Sequence, residues 1–373
     1  MNITRPPMGW NSWNTFGENP SEEIVMQIAD TMLEKGYKDA GYEYVVIDDC
    51  WSLKERDKDG KLVADPEKFP HGIKYVADYI HSKGLKFGMY SCAGVMTCAG
   101  YPGSYGHEYT DAKTFAEWGV DFLKYDYCHF PKSGDCRNAY LTMSLALRST
   151  GRDILFSACN WGCEESWNWM RSVGANMYRS TGDVFDTFTS FRDIILKQEK
   201  NFSMSAPGCY NDIDMLVVGM YGKGHVGIDS GCTDNEYTMH FALWCLFGAP
   251  LMMGGDIRNI NDFSRELMQN KELITINQDA EARPPIICAG QSNRIYFKIL
   301  ENNEYVIGFF NFNEDAAKMH VSFKDLGIPY DSGMRLDLHN VITGETLGIV
   351  RDYYMQSVNA RSCVVLKGKL TEV

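Results

Sequence analysis

Positive charge is scarce in this chain. Thirty-six Lys and Arg stand against 49 Asp and Glu, a net charge of −13, which leaves no electrostatic footprint for wrapping a polyanion and no basic stretch to hold an acidic membrane. Neither nucleic acid nor a membrane is an expected partner. Long apolar runs are missing too. The most apolar stretch, Phe241 to Gly255, is interrupted by Gly248-Ala249-Pro250 and falls short of the roughly 20 residues of a membrane span. It reads as protein core. The opening residues Met1-Asn2-Ile3-Thr4-Arg5-Pro6-Pro7 lack the apolar segment of a secretory leader. A cytoplasmic location is therefore expected, or a secreted one if a leader has been removed. Cysteine is thin for a disulfide scaffold, at 12 in 373 residues, because disulfide-dense folds are normally short. Most of these thiols are expected to be free and to pack as small apolar side chains. No Gly-x-Gly-x-x-Gly follows the first strand-like run, Cys159 and Cys163 are spaced too widely for Cys-x-x-Cys, and no His-rich partner suggests zinc. No cofactor and no metal is expected. Solenoid-period repeats and low-complexity segments are also lacking.

What is present suits a large folded protein. The length exceeds the roughly 100 to 200 residues of one ordinary domain and fits a barrel of about 250 residues with an appendage. Strand-like runs occur at Met8-Gly9-Trp10, Tyr44 to Ile47, Lys86 to Tyr90, Phe122 to Tyr125, Ile154 to Ser157, Met177 to Arg179, around Asp214-Met215-Leu216, and Pro250 to Met253. Amphipathic stretches separate them. Val25, Ile28, Ala29 and Met32 share one helical face, with Asn19 expected as the cap, Pro20 at the first position and Glu22 completing a capping pair. A second helix carries Ile73, Val76, Ala77 and Ile80 and closes near Gly84, and Tyr237, Phe241, Trp244 and Leu246 read as helix packing on the barrel. Eight β-α units in under 300 residues favour a (β/α)8 TIM barrel over an open sheet. Beyond Asn277-Gln278-Asp279 the period changes to two, at Ile295/Phe297/Ile299, Met319/Val321/Phe323 and Met334/Leu336/Leu338. That alternation predicts a C-terminal antiparallel β-sandwich. The expected domains are 1–282 and 283–373, joined through Arg283-Pro284-Pro285, with the tail packing on the barrel.

The polar residues gather where the predicted strands end, which is where a barrel builds its site. Asp48 and Asp49 close the second strand, Lys124 and Asp126 the fourth, and Arg179 with Asp183 follows the sixth. Residues two apart on a strand share a face, so Lys124 and Asp126 should both look into the barrel mouth. One reading is a structural ion-pair layer at the rim. The other is a site for a neutral polyhydroxy ligand, since carboxylates accept hydrogen bonds from vicinal hydroxyls and aromatic faces stack on sugar C–H patches. Glycoside hydrolysis needs two carboxyl groups, and Asp126 with Asp183 is the natural pair. Lys124 would keep Asp126 ionised, while Asp183 would need a raised pKa to donate a proton. His129 and His225 read as loop residues without a catalytic part, and a Schiff-base role for Lys124 is disfavoured by its acidic neighbour and by the lack of a phosphate-binding loop.

Five segments, Pro7 to Asn14, Ile47 to Trp51, Leu123 to Cys128, Arg179-Ser180-Thr181-Gly182-Asp183 and Asn211 to Met215, with Ala249-Pro250-Leu251 and Ile276 to Asp279 downstream, resemble the α-galactosidases of glycoside hydrolase family 27, the clan D melibiases. The resemblance covers nearly all of the barrel. It implies a retaining mechanism with Asp126 as nucleophile and Asp183 as acid/base, and carboxyls about 5 to 5.5 Å apart. It also implies that Asp48 and Asp49 bind the 4- and 6-hydroxyls, Lys124 the 3- and 4-hydroxyl side, and Arg179 the 2-hydroxyl region, with Trp13 and Tyr90 as walls. Cys98 and Cys128 sit where many members form a disulfide.

The loop Ala158 to Cys163 departs from the usual form, which commonly has Glu where Asn160 stands. Asn160 and Cys163 are expected at the sugar's 2-substituent, and Asn160 favours a 2-hydroxyl over an acetamido group. The expected substrates are α-galactoside oligosaccharides or glycoconjugates. The alternatives are an α-N-acetylgalactosaminidase on the same scaffold and a galactose-binding barrel without catalysis. The sequence is compatible with a homo-oligomer.

Overall fold

The computed structural model describes residues 3–288 and 293–372, without the side chain of Asn302. Eight short strands, β1 (Met8–Asn11), β2 (Tyr44–Val46), β3 (Lys86–Cys92), β4 (Phe122–Asp126), β5 (Leu155–Cys159), β6 (Met177–Arg179), β7 (Tyr210–Asp212) and β8 (Leu251–Met253), form one sheet in the order β7-β6-β5-β4-β3-β2-β1-β8. Every pairing within it is parallel. The seam between the two ends is closed by Leu216, whose N–H donates to Met252 O at 2.8 Å while its carbonyl accepts from Gly254 N at 2.9 Å. The protein is a (β/α)8 barrel.

The seventh strand corrects the sequence reading. The ladder lies at Tyr210–Asp212, ahead of the expected Asp214-Met215-Leu216, and that segment instead supplies the closing bridge. Asp214 has φ +82°, so the chain turns sharply between ladder and bridge. The first long helix also starts later than expected. It spans Glu22–Glu34 with Ser21 as the cap, accepting from Ile24 N at 3.3 Å. Glu22 does not complete a capping pair but binds the His71 ring at 2.7 Å.

Strand parity sorts the barrel interior into layers. Tyr44, Val46, Phe122, Leu155, Met177, Tyr210 and Met252 fill its base, and the next inward positions carry Asp48, Lys124, Arg179 and Asp212. Apolar filling below and charge above follow from the same period of two. Gly9 is required in this layer, since a Cβ there would lie 2.5 Å from Tyr44 O. Outward residues such as Trp10, Val45, Phe87, Leu123 and Phe156 bury against the helices, each contributing roughly 1.5 to 3 kcal/mol.

The tail holds β9 (Ile286–Cys288), β10 (Arg294–Ile299), β11 (Glu304–Asn311), β12 (Ala317–Ser322), β13 (Arg335–Asn340), β14 (Thr346–Val350), β15 (Tyr353–Val358) and β16 (Ser362–Thr371). An antiparallel sheet of order β14-β13-β16-β11-β10-β9 faces the β12-β15 pair. Met319 and Val321 pack with Ile307, Phe309, Leu336 and Leu338 between the two layers. The other face of the large sheet covers the helix Asp234–Phe247, which is buried nearly all round because it lies between barrel and tail. Phe247 meets the Tyr296 ring at 5.1 Å, Tyr296 Oη donates to Glu199 at 2.6 Å, and Arg361 reaches Glu236 at 3.1 Å. Among the described residues no helix is long and apolar enough to cross a membrane.

Candidate active site

A cavity of about 110 Å³ opens at the C-terminal ends of the barrel strands, lined by Trp13, Asn14, Asp48, Asp49, Tyr90, Cys98, Lys124, Asp126, Trp161, Arg179, Asp183, Asp214, Met215 and Val226. Local turns deliver these groups. Asn11, at the end of β1, accepts from Trp13 N at 2.9 Å and so starts the short helix that carries Trp13. Its amide also donates to Asp48 Oδ2 at 2.7 Å. After β2 the carboxylates organise their own backbone: Asp48 Oδ1 accepts from Asp49 N at 3.0 Å and Asp49 Oδ1 from Cys50 N at 2.7 Å. The second oxygen of Asp49 takes Ala99 N at 3.1 Å.

Lys124 corrects an expectation about pairing. Its ammonium crosses above the Tyr90 ring, 5.3 Å from the centroid, and binds Asp48 Oδ2 at 2.7 Å. It does not pair with its strand neighbour Asp126. Asp126 instead accepts from Tyr127 N at 2.9 Å and from Tyr90 Oη at 3.1 Å. Cys98 and Cys128 form a disulfide, with Cα atoms 5.1 Å apart, and the Cys98 sulfur stands 3.7 Å from Asp126 Oδ2. The other ten cysteines are free thiols, buried except for Cys163.

On the opposite wall Arg179 Nη2 lies 2.8 Å from both Asp183 Oδ1 and Asp214 Oδ2. Asp214 is held from behind by Val184 N at 2.6 Å and Met215 N at 2.8 Å. Asp183 sits at the rim with its side chain 64% exposed.

The proton affinities differ from those the sequence suggested. Burial pushes the Asp126 carboxyl above the ordinary Asp range, against the opposing charge of Lys124. For Asp183 desolvation acts upward as well, but the Arg179 guanidinium outweighs it and holds the carboxyl low. The expected order is thus inverted, because Lys124 pairs with Asp48 and leaves burial to dominate at Asp126, while Arg179 pairs with Asp183 itself. Burial also raises Asp49 and Asp214. Asp212, in the layer below, is pushed up to about 6 by burial although Arg179 opposes it.

Asn160 and Cys163 do not join the lining. Asn160 is fully buried, and its amide is consumed by the loop: Nδ2 donates to Cys163 O at 2.9 Å and Oδ1 accepts from Gly162 N at 3.2 Å. Cys163 faces solvent. The turn that Asn160 stabilises places Trp161, at φ +58°, against the cavity. Sequence reading missed Trp161 as a wall, along with Asn14 and Val226. Val226 comes from a glycine-rich loop tied back by its own N–H to Asn14 O at 3.1 Å, a long-range contact with no local signal. His225 packs edge-on to Trp13, centroids 4.9 Å apart, and braces that wall.

A family model described as Alpha galactosidase A matches residues 5–279, and one described as Alpha galactosidase C-terminal beta sandwich domain matches residues 290–367. The chain belongs to the α-galactosidase family. Within that family it is 40% identical to Alpha-galactosidase A of Cellvibrio japonicus, across 97% of this chain and 91% of the relative. It is 39% identical to the Alpha-galactosidase of Cyamopsis tetragonoloba, across 96% and 84%. Among solved structures, alpha-galactosidase I from Mortierella vinacea superposes with a TM-score of 0.93 at 34% identity, covering 100% of this chain and 99% of that one. A Geobacillus stearothermophilus β-L-arabinopyranosidase, at 24% identity and TM-score 0.88 over 98% of this chain and 97% of its own, shares the fold. This α-galactosidase family member is accordingly a glycoside hydrolase by descent, and its strand-end cavity is where the family resemblance placed the chemistry.

Proposed function

We propose that the protein is a retaining exo-glycosidase that removes terminal α-linked D-galactose from oligosaccharides and glycoconjugates. The observation that carries this reading is the shared cavity into which Asp126 and Asp183 come from different strands, with hydrogen-bonding carboxylates, one Lys, one Arg and aromatic walls around them. In the first step an Asp126 oxygen attacks the anomeric carbon, the bond to the leaving oxygen breaks, and that oxygen takes the Asp183 proton. In the second, Asp183 takes a proton from water, whose oxygen displaces Asp126. Tyr90 orients the nucleophile through its hydroxyl. Asp48 and Asp49 take the 4- and 6-hydroxyls, Lys124 the 3- and 4-hydroxyl side, and Arg179 the 2-hydroxyl region. A site built around an axial 4-hydroxyl rejects the epimer that cannot make those bonds.

Asn160, being engaged within its own loop, gives no support to discrimination at the 2-position. The preference for a 2-hydroxyl rests on relatives near 40% identity named as α-galactosidases. The solved neighbour described as a putative α-N-acetylgalactosaminidase is 21% identical. Asp126→Ala and Asp183→Ala should each abolish hydrolysis of an aryl α-galactoside in folded protein, and azide should rescue the first as a galactosyl azide of inverted configuration. Full activity in either variant contradicts the assignment, and faster turnover of the 2-acetamido analogue would move the substrate class to α-N-acetylgalactosaminides.

A further inference from the structure

We propose that Asp186 is a positioning residue: its carboxylate clamps the two ends of the glycine-rich loop 222–232 and so sets the wall of the galactose pocket that Val226 and Trp13 form. The inference rests on the glycosidase reading of the inner cavity.

Asp186 is fully buried, three residues beyond Asp183 on the segment that follows β6. Its Oδ2 accepts from Gly222 N at 2.7 Å and its Oδ1 from Cys232 N at 3.3 Å. Tyr237 Oη lies 2.9 Å from both oxygens, and the same hydroxyl accepts from Tyr221 N at 2.6 Å. The loop therefore leaves and re-enters the fold at one side chain. Gly231 shows how closely it passes, since a Cβ there would fall 2.3 Å from Asp186 Oδ2. The backbone of Asp186 joins in, its N–H donating to Val226 O at 3.1 Å beside a bridge between Asp186 and Gly227. Val226 N in turn donates to Asn14 O at 3.1 Å, and His225 N to Thr15 O at 3.2 Å. Asp186 thus reaches the cavity through Val226, which lines it, and through the segment that carries Trp13 and Asn14.

Stability alone does not account for this carboxylate. Among the described residues no Lys, Arg or His lies within ion-pair distance of it, and burial pushes its carboxyl above the ordinary Asp range. A charge kept there costs folding energy, and what its bonds secure is the loop. The acid/base has anchors of its own: Arg179 holds Asp183, and Asp214 holds Val184 N at 2.6 Å. Opening the clamp should therefore weaken the grip on the sugar and leave proton transfer in place.

The test measures Kd for galactose by calorimetry, and kcat and KM for aryl α-galactosides with good and poor leaving groups, in Asp186→Ala and in Tyr237→Phe, which keeps the ring and removes one donor. Kd and KM should rise about tenfold in the first variant and about threefold in the second. The loss in kcat/KM should be the same for every leaving group, because Asp183 is undisturbed. Trypsin should cut after Lys223 in Asp186→Ala and not in the unmodified enzyme, with galactose slowing the cut. An unchanged Kd, or a loop as resistant as in the unmodified enzyme, overturns the proposal. A loss that grows as the leaving group worsens also overturns it, by making Asp186 a support of Asp183, and so does failure of both variants to fold. If the unmodified enzyme neither binds galactose nor cleaves an aryl α-galactoside, the galactosidase reading itself is overturned.

Discussion

Arg179 holds Asp183 by a hydrogen-bonded ion pair of 2.8 Å and grips Asp214 with the same nitrogen. This favours the ionised form of the Asp183 carboxyl, although the proposed mechanism needs it protonated in the first step. The substrate must therefore loosen that pair. A depressed pKa means that the protonated form is lost as pH rises from low values, so kcat/KM should have an acidic optimum and an early alkaline limb. The two carboxyls share the same charged neighbours, so the limbs belong to the coupled pair. Arg179→Gln should move the alkaline limb of kcat/KM to higher pH while lowering the maximum about 100-fold. A limb that stays in place would show that Arg179 does not set the proton affinity of Asp183.

Lys124 and Asp48 form a second ion pair of the cavity, reaching over β3 at 2.7 Å. Removing one member of a buried pair leaves the other charge uncompensated and costs about 3 to 5 kcal/mol. Lys124→Met should lower the urea-unfolding free energy by that amount, and adding Asp48→Asn should recover part of the loss. Simple additivity of the two substitutions would argue that the pair is not coupled in the folded protein.

Asp212 makes a pH-dependent contribution of the opposite sign to that of Asp183. Burial raises its folded pKa from the ordinary 3.8 to about 6. The native state therefore binds the proton more tightly, and that stabilisation is full below pH 4 and disappears as pH rises towards 6. Asp212→Asn should remove this loss and leave the variant about 2 to 3 kcal/mol more stable than the unmodified enzyme at pH 7. Thermal unfolding of both proteins from pH 4 to 8 gives the comparison. Parallel curves would place the pKa of Asp212 near its ordinary value.

Much of the barrel was legible because apolar runs of β-branched and aromatic residues ended in charge, as in Tyr44-Val45-Val46-Ile47-Asp48 and Phe122-Leu123-Lys124-Tyr125-Asp126. Parity alone then set Lys124 and Asp126 on the inner face. The seventh strand escaped because Tyr210-Asn211-Asp212 carries one apolar residue and is held by a three-residue ladder. The strand Glu304–Asn311 was missed because it is buried on both faces and loses the alternation that marks a half-exposed strand. Which acid Lys124 pairs with was illegible for another reason: it depends on a side chain crossing over β3, which no spacing encodes. Asn160 misled because a polar residue in a site loop looks like a ligand contact, whereas its amide satisfies the loop's own backbone.

The contact between barrel and tail is apolar at its centre, with Phe247 on Tyr296 and Phe310 at its side. Truncation after Asp279 should expose the helix Asp234–Phe247 and give an insoluble or unfolded product. Tyr296→Ala in the full chain should cost about 3 to 5 kcal/mol. A soluble fragment with normal kcat/KM would show that the tail is an accessory module.

The central claim is that Asp126 attacks the anomeric carbon. It is tested most directly by incubating the enzyme with a 2-deoxy-2-fluoro α-galactosyl donor carrying a good leaving group, then digesting it and mapping the modified peptide by mass spectrometry. A single fluorogalactosyl ester on Asp126, absent in Asp126→Ala, is the expected result. An adduct on another residue, or turnover with no covalent intermediate and inverted product, would contradict it.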